Sequence, residues 1–582
     1  MEDKSDRLNG IETDDSSETI NNNQSLNLIH SETTNLSKLP KPIWYAGGQG
    51  QCIVDVNEVV NFLKFFGFGE LNRSEFIRRR NDNILEITDV KKVSKFIFNY
   101  FKRTNSKYYD DKSKFGVVRK KEMDEEGNEY EILFSKDDVI RSIIHYKWFS
   151  KKDVIYLHEF EDEKKNVNEG EGYLYTPIFR DSKDEVYTFF KNGVVKTTKD
   201  ESTLIDFDTI TGGYIWDSSI RDQIDNIIID KSEDKGLFEI FVEKAMSYKD
   251  DNGKWKLDED EYESFRTIYG YMLSNYTNSG DTPAPLFVDR DSNGDKAEGG
   301  NGKSLVLKSI KEWKMTTAIN GKNISEKDKF LFSGVNLDTQ FVFLDDVEKD
   351  FNFNILYNLT TGDFEIERKF KDRVVINQHN KPKIALSTNY ILSDTGWSTQ
   401  RRQYVLEFGS FWHDYTKNQG HQVEYFFGGK RLFDDFDEKD WRQFFNFGFK
   451  CIQEFLFKGV IVNKHQNYKH KQLISQIEGV GVNDGVVDWI VDYIVRNQNE
   501  LTNRLTGMKQ SVIYDDFIDD EQFSDEVNEK WDSTRFNKAI WDICINKEWE
   551  YNPHKIGRTM SQKRWLTGEA DNQSPSLIII VK

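Results

Sequence analysis

Residues 299–304 read Gly-Gly-Asn-Gly-Lys-Ser (GGNGKS), and the fold turns on what that hexapeptide does. It follows the apolar, strand-like run Pro285-Leu286-Phe287-Val288 and precedes Leu305 to Trp313, a run with helical spacing. Glycines let a backbone curl until successive N–H groups face inward at phosphate oxygens, and the start of the following helix adds a favourable potential for an anion. A lysine placed next neutralises β/γ-phosphate charge, and the serine hydroxyl after it binds magnesium. Gly299, Gly300, Asn301, Gly302, Lys303, Ser304 and Leu305 are therefore the candidate nucleotide-binding residues. The full spacing of such a loop places a further glycine at position 297, where this chain has Ala297, and the strand-to-loop connection is longer than usual.

Three downstream segments complete the pattern. Phe341-Val342-Phe343-Leu344-Asp345-Asp346 is an apolar strand ending in two carboxylates. With Ser304, Asp345 would hold magnesium, and Asp346 would orient or deprotonate the attacking water. Lys383-Ile384-Ala385-Leu386-Ser387-Thr388-Asn389 is a second apolar strand, and its terminal amide suits a γ-phosphate sensor. Thr399 to Phe408 then gives Arg401 and Arg402 immediately ahead of another apolar strand, so either is a candidate finger for a neighbouring subunit's nucleotide. The catalytic set read from sequence is Lys303, Asp345, Asp346, Asn389, Arg401 and Arg402.

Between the acid strand and the Asn389 strand lies Thr361-Gly362-Asp363-Phe364-Glu365-Ile366-Glu367-Arg368-Lys369-Phe370-Lys371. With GGNGKS, FVFLDD and KIALSTN, this element resembles superfamily 3 helicases, most closely the primase-helicase family of phages, plasmids and poxviruses. The likeness spans residues 280–425. It implies an AAA+-like P-loop ATPase, a homohexameric ring, dependence on ATP and Mg2+, and 3′ to 5′ movement on single-stranded DNA. In that family the basic element grips the strand, which carries over to Lys369 and Lys371, with Arg368 beside them. Basic side chains on a hairpin follow a phosphate backbone without reading sequence, and Phe370 suits either stacking on a base or packing the hairpin.

The rest of the chain fits a multidomain replication protein. Its 582 residues exceed the usual domain size several-fold, and 43 Phe, 25 Tyr and 13 Trp supply ample apolar area. A net charge of −20 restricts DNA contact to local basic patches. Cys52, Cys451 and Cys544 have neither metal-ligand nor paired spacing, and no apolar run reaches membrane-spanning length. The expectation is a cytoplasmic protein with no membrane partner.

The fold class expected is an α/β P-loop core with a parallel sheet, preceded by a mixed α+β region and followed by helices and a winged helix. Residues 1–40 read as a polar, disordered tail, and 41–230 as an α+β accessory domain. A helical lead-in at 231–279 precedes the ATPase at 280–425, a helical segment at 426–505 and a winged-helix-like domain at 506–582. Lys555, Arg558, Lys563 and Arg564 near the wing suit duplex or origin DNA, and a dimerising or partner-binding wing fits the same residues. No acidic and histidine set for a primase centre stands out in the N-terminal half. Two other functions share the motifs: a P-loop NTPase acting as a switch or assembly factor, and an origin-binding initiator that does not unwind.

Overall fold

The computed structural model describes residues 44–46, 52–54, 56–71, 75–81, 83–89, 91–93, 95–96, 119–123, 129–133, 178–230, 234–277, 283–290, 299–322, 324–325, 327–349, 351–356, 359, 363–369, 373–390, 392, 402–463, 472–474, 476–478, 484–502, 508–553, 565–567 and 574–581. The chain divides into two compact units, Met1–Pro177 and Ile178–Lys582.

In the first unit the helix Val56–Phe65 buries Val59, Phe62 and Leu63 on one face. An antiparallel sheet of Phe68–Leu71, Glu75–Asn81 and Ile84–Ile87 follows it. The strand Glu129–Leu133 pairs with Arg119–Met123.

The second unit is built on a five-stranded sheet. Two helices lead in, α1 (Leu237–Ala245) and α2 (Glu259–Leu273). Between them runs a hairpin of Ser247–Lys249 and Trp255–Leu257, where the sequence suggests continuous helix. The turn holds Asn252 and Gly253, the latter at φ 74°, a left-handed conformation that breaks helical periodicity. The core then runs β1 (Ala284–Asp289), α3 (Lys303–Ser309), β2 (Thr316–Asn320), β3 (Phe341–Val347), β4 (Phe364–Ile366), β5 (Val374–Ile376), β6 (Lys383–Thr388) and β7 (Gln403–Phe408). Helix α4 (Glu438–Lys458) closes it, capped by Asp437 and Asp440 in a reciprocal box.

The sheet order is β2-β3-β6-β1-β7, with every neighbouring pair parallel. All five strands therefore end at one edge. Strands covered on both faces need apolar residues throughout, and every residue of β1 and of β6 is buried. On one face Phe287, Phe341, Phe343 and Leu406 pack against the aromatics of α1, α2 and α4. On the other, Leu286, Val342, Leu344 and Leu386 pack against Phe364, Ile366, Val374 and Ile376 of the antiparallel β4–β5 hairpin.

Residues 186–227 join the first of these cores. Val186, Phe190, Val195, Ile224 and Ile227 bury against the helix aromatics. This stretch contributes the strands Val186–Phe190 and Ser202–Ile205.

A separate apolar core gathers the helices Val486–Arg496, Gln510–Ile518 and Ser533–Asn546. A small antiparallel sheet of Met508–Lys509, Ser574–Leu577 and Trp565–Thr567 accompanies them. The basic residues Lys555, Arg558, Lys563 and Arg564 lie outside the described residues, as do residues 1–40. Among the described residues no helix is long and apolar enough to cross a membrane.

Candidate active site

In parallel α/β sheets a ligand binds outside the carboxyl ends of the strands, where the chain turns into helices and loops. Of the sequence-predicted residues, Asn301, Lys303, Ser304, Asp345, Asp346 and Asn389 converge at that edge here. Gly302 caps α3 at φ 97° and Gly300 stands at φ 98°, so the loop between β1 and α3 takes the left-handed turns that glycine allows. Gly302 also has no room for a side chain, because a Cβ would lie 2.7 Å from the Cζ of Phe241 on α1. Phe241 stacks on Trp412 at 4.7 Å between ring centres, and the Trp412 indole N–H donates to the Phe241 carbonyl at 3.0 Å. The loop therefore rests on a floor of two aromatic rings from distant parts of the chain.

Gly302→Ala is expected to lower the unfolding free energy by about 2–5 kcal/mol, combining left-handed strain with overpacking. Chemical denaturation measures it; a loss under about 1 kcal/mol would mean the loop does not sit on this floor.

The polar groups form one connected network. The Ser304 hydroxyl donates to Asp345 Oδ1 at 2.6 Å, and the Ser387 hydroxyl donates to the same oxygen at 2.8 Å. Ser387 Oγ accepts from the Asp346 N–H at 2.9 Å. The Asn389 amide donates to Asp346 Oδ1 at 2.6 Å, while its oxygen accepts from Lys303 Nζ at 2.8 Å. Lys303 also pairs with Asp289 at the end of β1, and Asn301 Nδ2 donates to that carboxylate at 2.7 Å. Lys303 is only 5% exposed, and burial pushes its ammonium below the usual lysine range even beside Asp289.

Asp346 adopts φ 63°, left-handed backbone that aspartate tolerates better than most residues. The irregular register between β3 and β6 falls here, between Leu344 and Val347. The bend turns Asp346 toward Asn389 and toward Lys322, whose ammonium lies 3.0 Å from its Oδ2.

Several participants escape the sequence reading. Asp289 is legible only as the last residue of a strand, and Ser387 only as a polar residue inside one. His413 comes from beyond β7, and its Nδ1 lies 2.9 Å from the Gly299 carbonyl oxygen. Lys322 follows β2 with no motif around it.

Other predicted residues lie elsewhere. Arg402 precedes β7, at the starting edge of the sheet, with its carbonyl accepting from Ala284 N–H at 2.8 Å; it is 8% exposed. Arg401, Lys371, Phe370 and Ala297 lie outside the described residues. Lys369 is exposed beyond β4, whereas the Arg368 guanidinium donates to the Val335 carbonyl at 2.9 Å and to Asn336 Oδ1 at 3.1 Å.

No protein-family model matches the chain, and no curated protein matches it. Among solved structures it is similar to the A-form apo structure of the NrS-1 C-terminal region, CTR, with 13% sequence identity and a TM-score of 0.25. That match covers 69% of this chain and 96% of the other.

Proposed function

We propose that this chain is an ATP-driven DNA helicase of the superfamily 3 type, serving replication of a phage, plasmid or virus and working as a homohexameric ring on single-stranded DNA. One observation carries the reading: a glycine loop, two strand-end carboxylates and a strand-end amide from β1, β3 and β6 share one hydrogen-bond network. Each is the residue type that nucleotide hydrolysis requires, at the edge where α/β sheets bind ligands.

In this reading the residues from Gly299 to Leu305 form a P-loop that cradles the ATP phosphates, and Lys303 leaves Asp289 to meet the β/γ charge. Ser304 and Asp345 would hold Mg2+: their hard oxygens already converge at 2.6 Å, and two protein ligands suit an ion that keeps several waters. Bound there, Mg2+ supplies charge neutralisation at the transferred phosphoryl group. Asp346 accepts the proton of the attacking water, and Asn389 bridges that acid and Lys303, a placement from which it reports on the γ-phosphate. An arginine from the neighbouring subunit completes the charge; the burial of Arg402 within its own chain favours Arg401 for that role. Lys369 and Lys371 follow the strand by charge, and the C-terminal region, read as a winged helix, suits duplex origin DNA. Movement is 3′ to 5′ by the family resemblance.

The test separates a motor from a nucleotide switch. Lys369→Ala with Lys371→Ala is expected to remove stimulation of ATP hydrolysis by single-stranded DNA and to stop unwinding, with ATP affinity unchanged. The slope of log binding constant against log salt should fall by about one per lost phosphate contact. Undiminished DNA stimulation in the double variant would replace the helicase reading with a switch.

A further inference from the structure

A second concentration of charge lies at the opposite edge of the sheet, where β3 and β6 begin. A cavity of about 50 Å³ opens there, lined among others by Arg180, Trp216, Asn275, His379, Lys381 and Lys383. In this measure one water occupies about 10–15 Å³, so the space suits a single phosphoryl-sized group and not a nucleoside.

The charge around it is unbalanced. Arg180, Lys381 and Lys383 line the cavity, and Lys314 stands behind it, donating to Asn275 Oδ1 at 2.8 Å and to the carbonyls of Met272 and Ser274 at 2.9 and 3.2 Å. Lys383 donates to the Tyr271 carbonyl at 2.6 Å and lies 3.9 Å from the centre of the Tyr271 ring. Arg180 donates to Asn380 Oδ1. None of these four cations forms a salt bridge with a described residue.

The nearby carboxylates are already engaged. Asp181 accepts backbone N–H groups on both oxygens, from Tyr187 at 2.9 Å and Asn275 at 2.6 Å. Asp363 accepts from the Gln378 N–H at 2.7 Å. Burial accordingly drives Lys314 down to about 7 and lowers Lys381 and Lys383.

Lys381 is the decisive residue. It is 6% exposed and lines the cavity, yet no described residue accepts a hydrogen bond from its ammonium. An oxyanion entering the cavity would supply the partner that this ammonium lacks.

We propose that this cavity is a phosphoryl-binding site, separate from the glycine loop, in which Lys381 and Arg180 grip the oxyanion. The site lies where the β4–β5 hairpin roots, since the turn after β5 carries His379 and Asn380 into its wall. The phosphoryl group comes either from free phosphate or from the 5′ end of a nucleic-acid strand.

The experiment titrates inorganic phosphate into the full chain, reading 31P line broadening and the melting temperature. The wild type should be stabilised by phosphate, and Lys381→Met should weaken apparent phosphate affinity at least tenfold. Because Lys381 is unpartnered, Lys381→Met should also melt at or above the wild-type temperature in phosphate-free buffer, which separates lost binding from lost folding. Lys381→Arg should retain the response.

A single-stranded oligonucleotide with a 5′-phosphate, compared with its 5′-hydroxyl form, distinguishes the sources. A Lys381-dependent preference for the phosphorylated strand identifies a strand end, and equal binding assigns free phosphate. A phosphate response that survives Lys381→Met, or that disappears only in Lys303→Ala, overturns the proposal.

Discussion

Lys303→Met is expected to lower ATP hydrolysis by about 10²- to 10³-fold or more, the usual loss when one preorganised group aimed at developing charge is removed. The same substitution should reduce the unfolding free energy by about 3 kcal/mol. Lys303 and Asp289 are a buried pair, and removing one member leaves the other as an uncompensated buried charge. Asn301 still donates to Asp289, which keeps the loss toward the lower end of the range for such pairs. Adding Asp289→Asn should then restore most of the stability and none of the turnover. Denaturant titration and steady-state hydrolysis on the three proteins check both parts. Full activity in Lys303→Met would remove the nucleotide site from this loop, and an unrescued stability loss would remove the pairing with Asp289 from its cause.

Asp346→Asn should bind ATP as the wild type does and turn it over about 10²- to 10⁴-fold more slowly, the range that a positioned general base contributes. The substitution is mild on the fold for identifiable reasons. Asparagine tolerates the φ of 63° at this position as aspartate does. It keeps an oxygen to accept from Asn389. The ion pair lost with Lys322 is half-exposed, and such pairs contribute at most about 1 kcal/mol. Single-turnover hydrolysis beside equilibrium nucleotide binding separates the two effects. Unchanged turnover would assign water activation to another group; affinity lost in parallel would make Asp346 a binding residue instead.

Much of the sheet was legible because strands covered on both faces must be apolar along their length. PLFV, FVFL and KIAL announce themselves in this way, and their polar last residues are conspicuous against them. The hairpin between Ser247 and Leu257 was not legible, since short strands flanked by helical patterns blend into them. Nor was the membership of Val186, Phe190 and Ile224 in the sheet's aromatic core, because burial partners distant in sequence leave no periodicity. His413 and Lys322 reach the site from segments with no motif, so composition and spacing could not single them out.

The sequence by itself determined which chemical groups stand at strand ends: a lysine and serine after glycines, two carboxylates and an amide. Period and residue type are local properties, and they suffice for that. Only the tertiary structure decided that β1 lies between β6 and β7, which brings Lys303, Asp345, Asp346 and Asn389 into one network and leaves Arg402 at the far edge of the sheet. It alone assembled Arg180, Lys314, Lys381 and Lys383 around one cavity. Strand order and the closing of a cavity depend on packing between residues far apart along the chain, and no stretch of sequence carries that information locally.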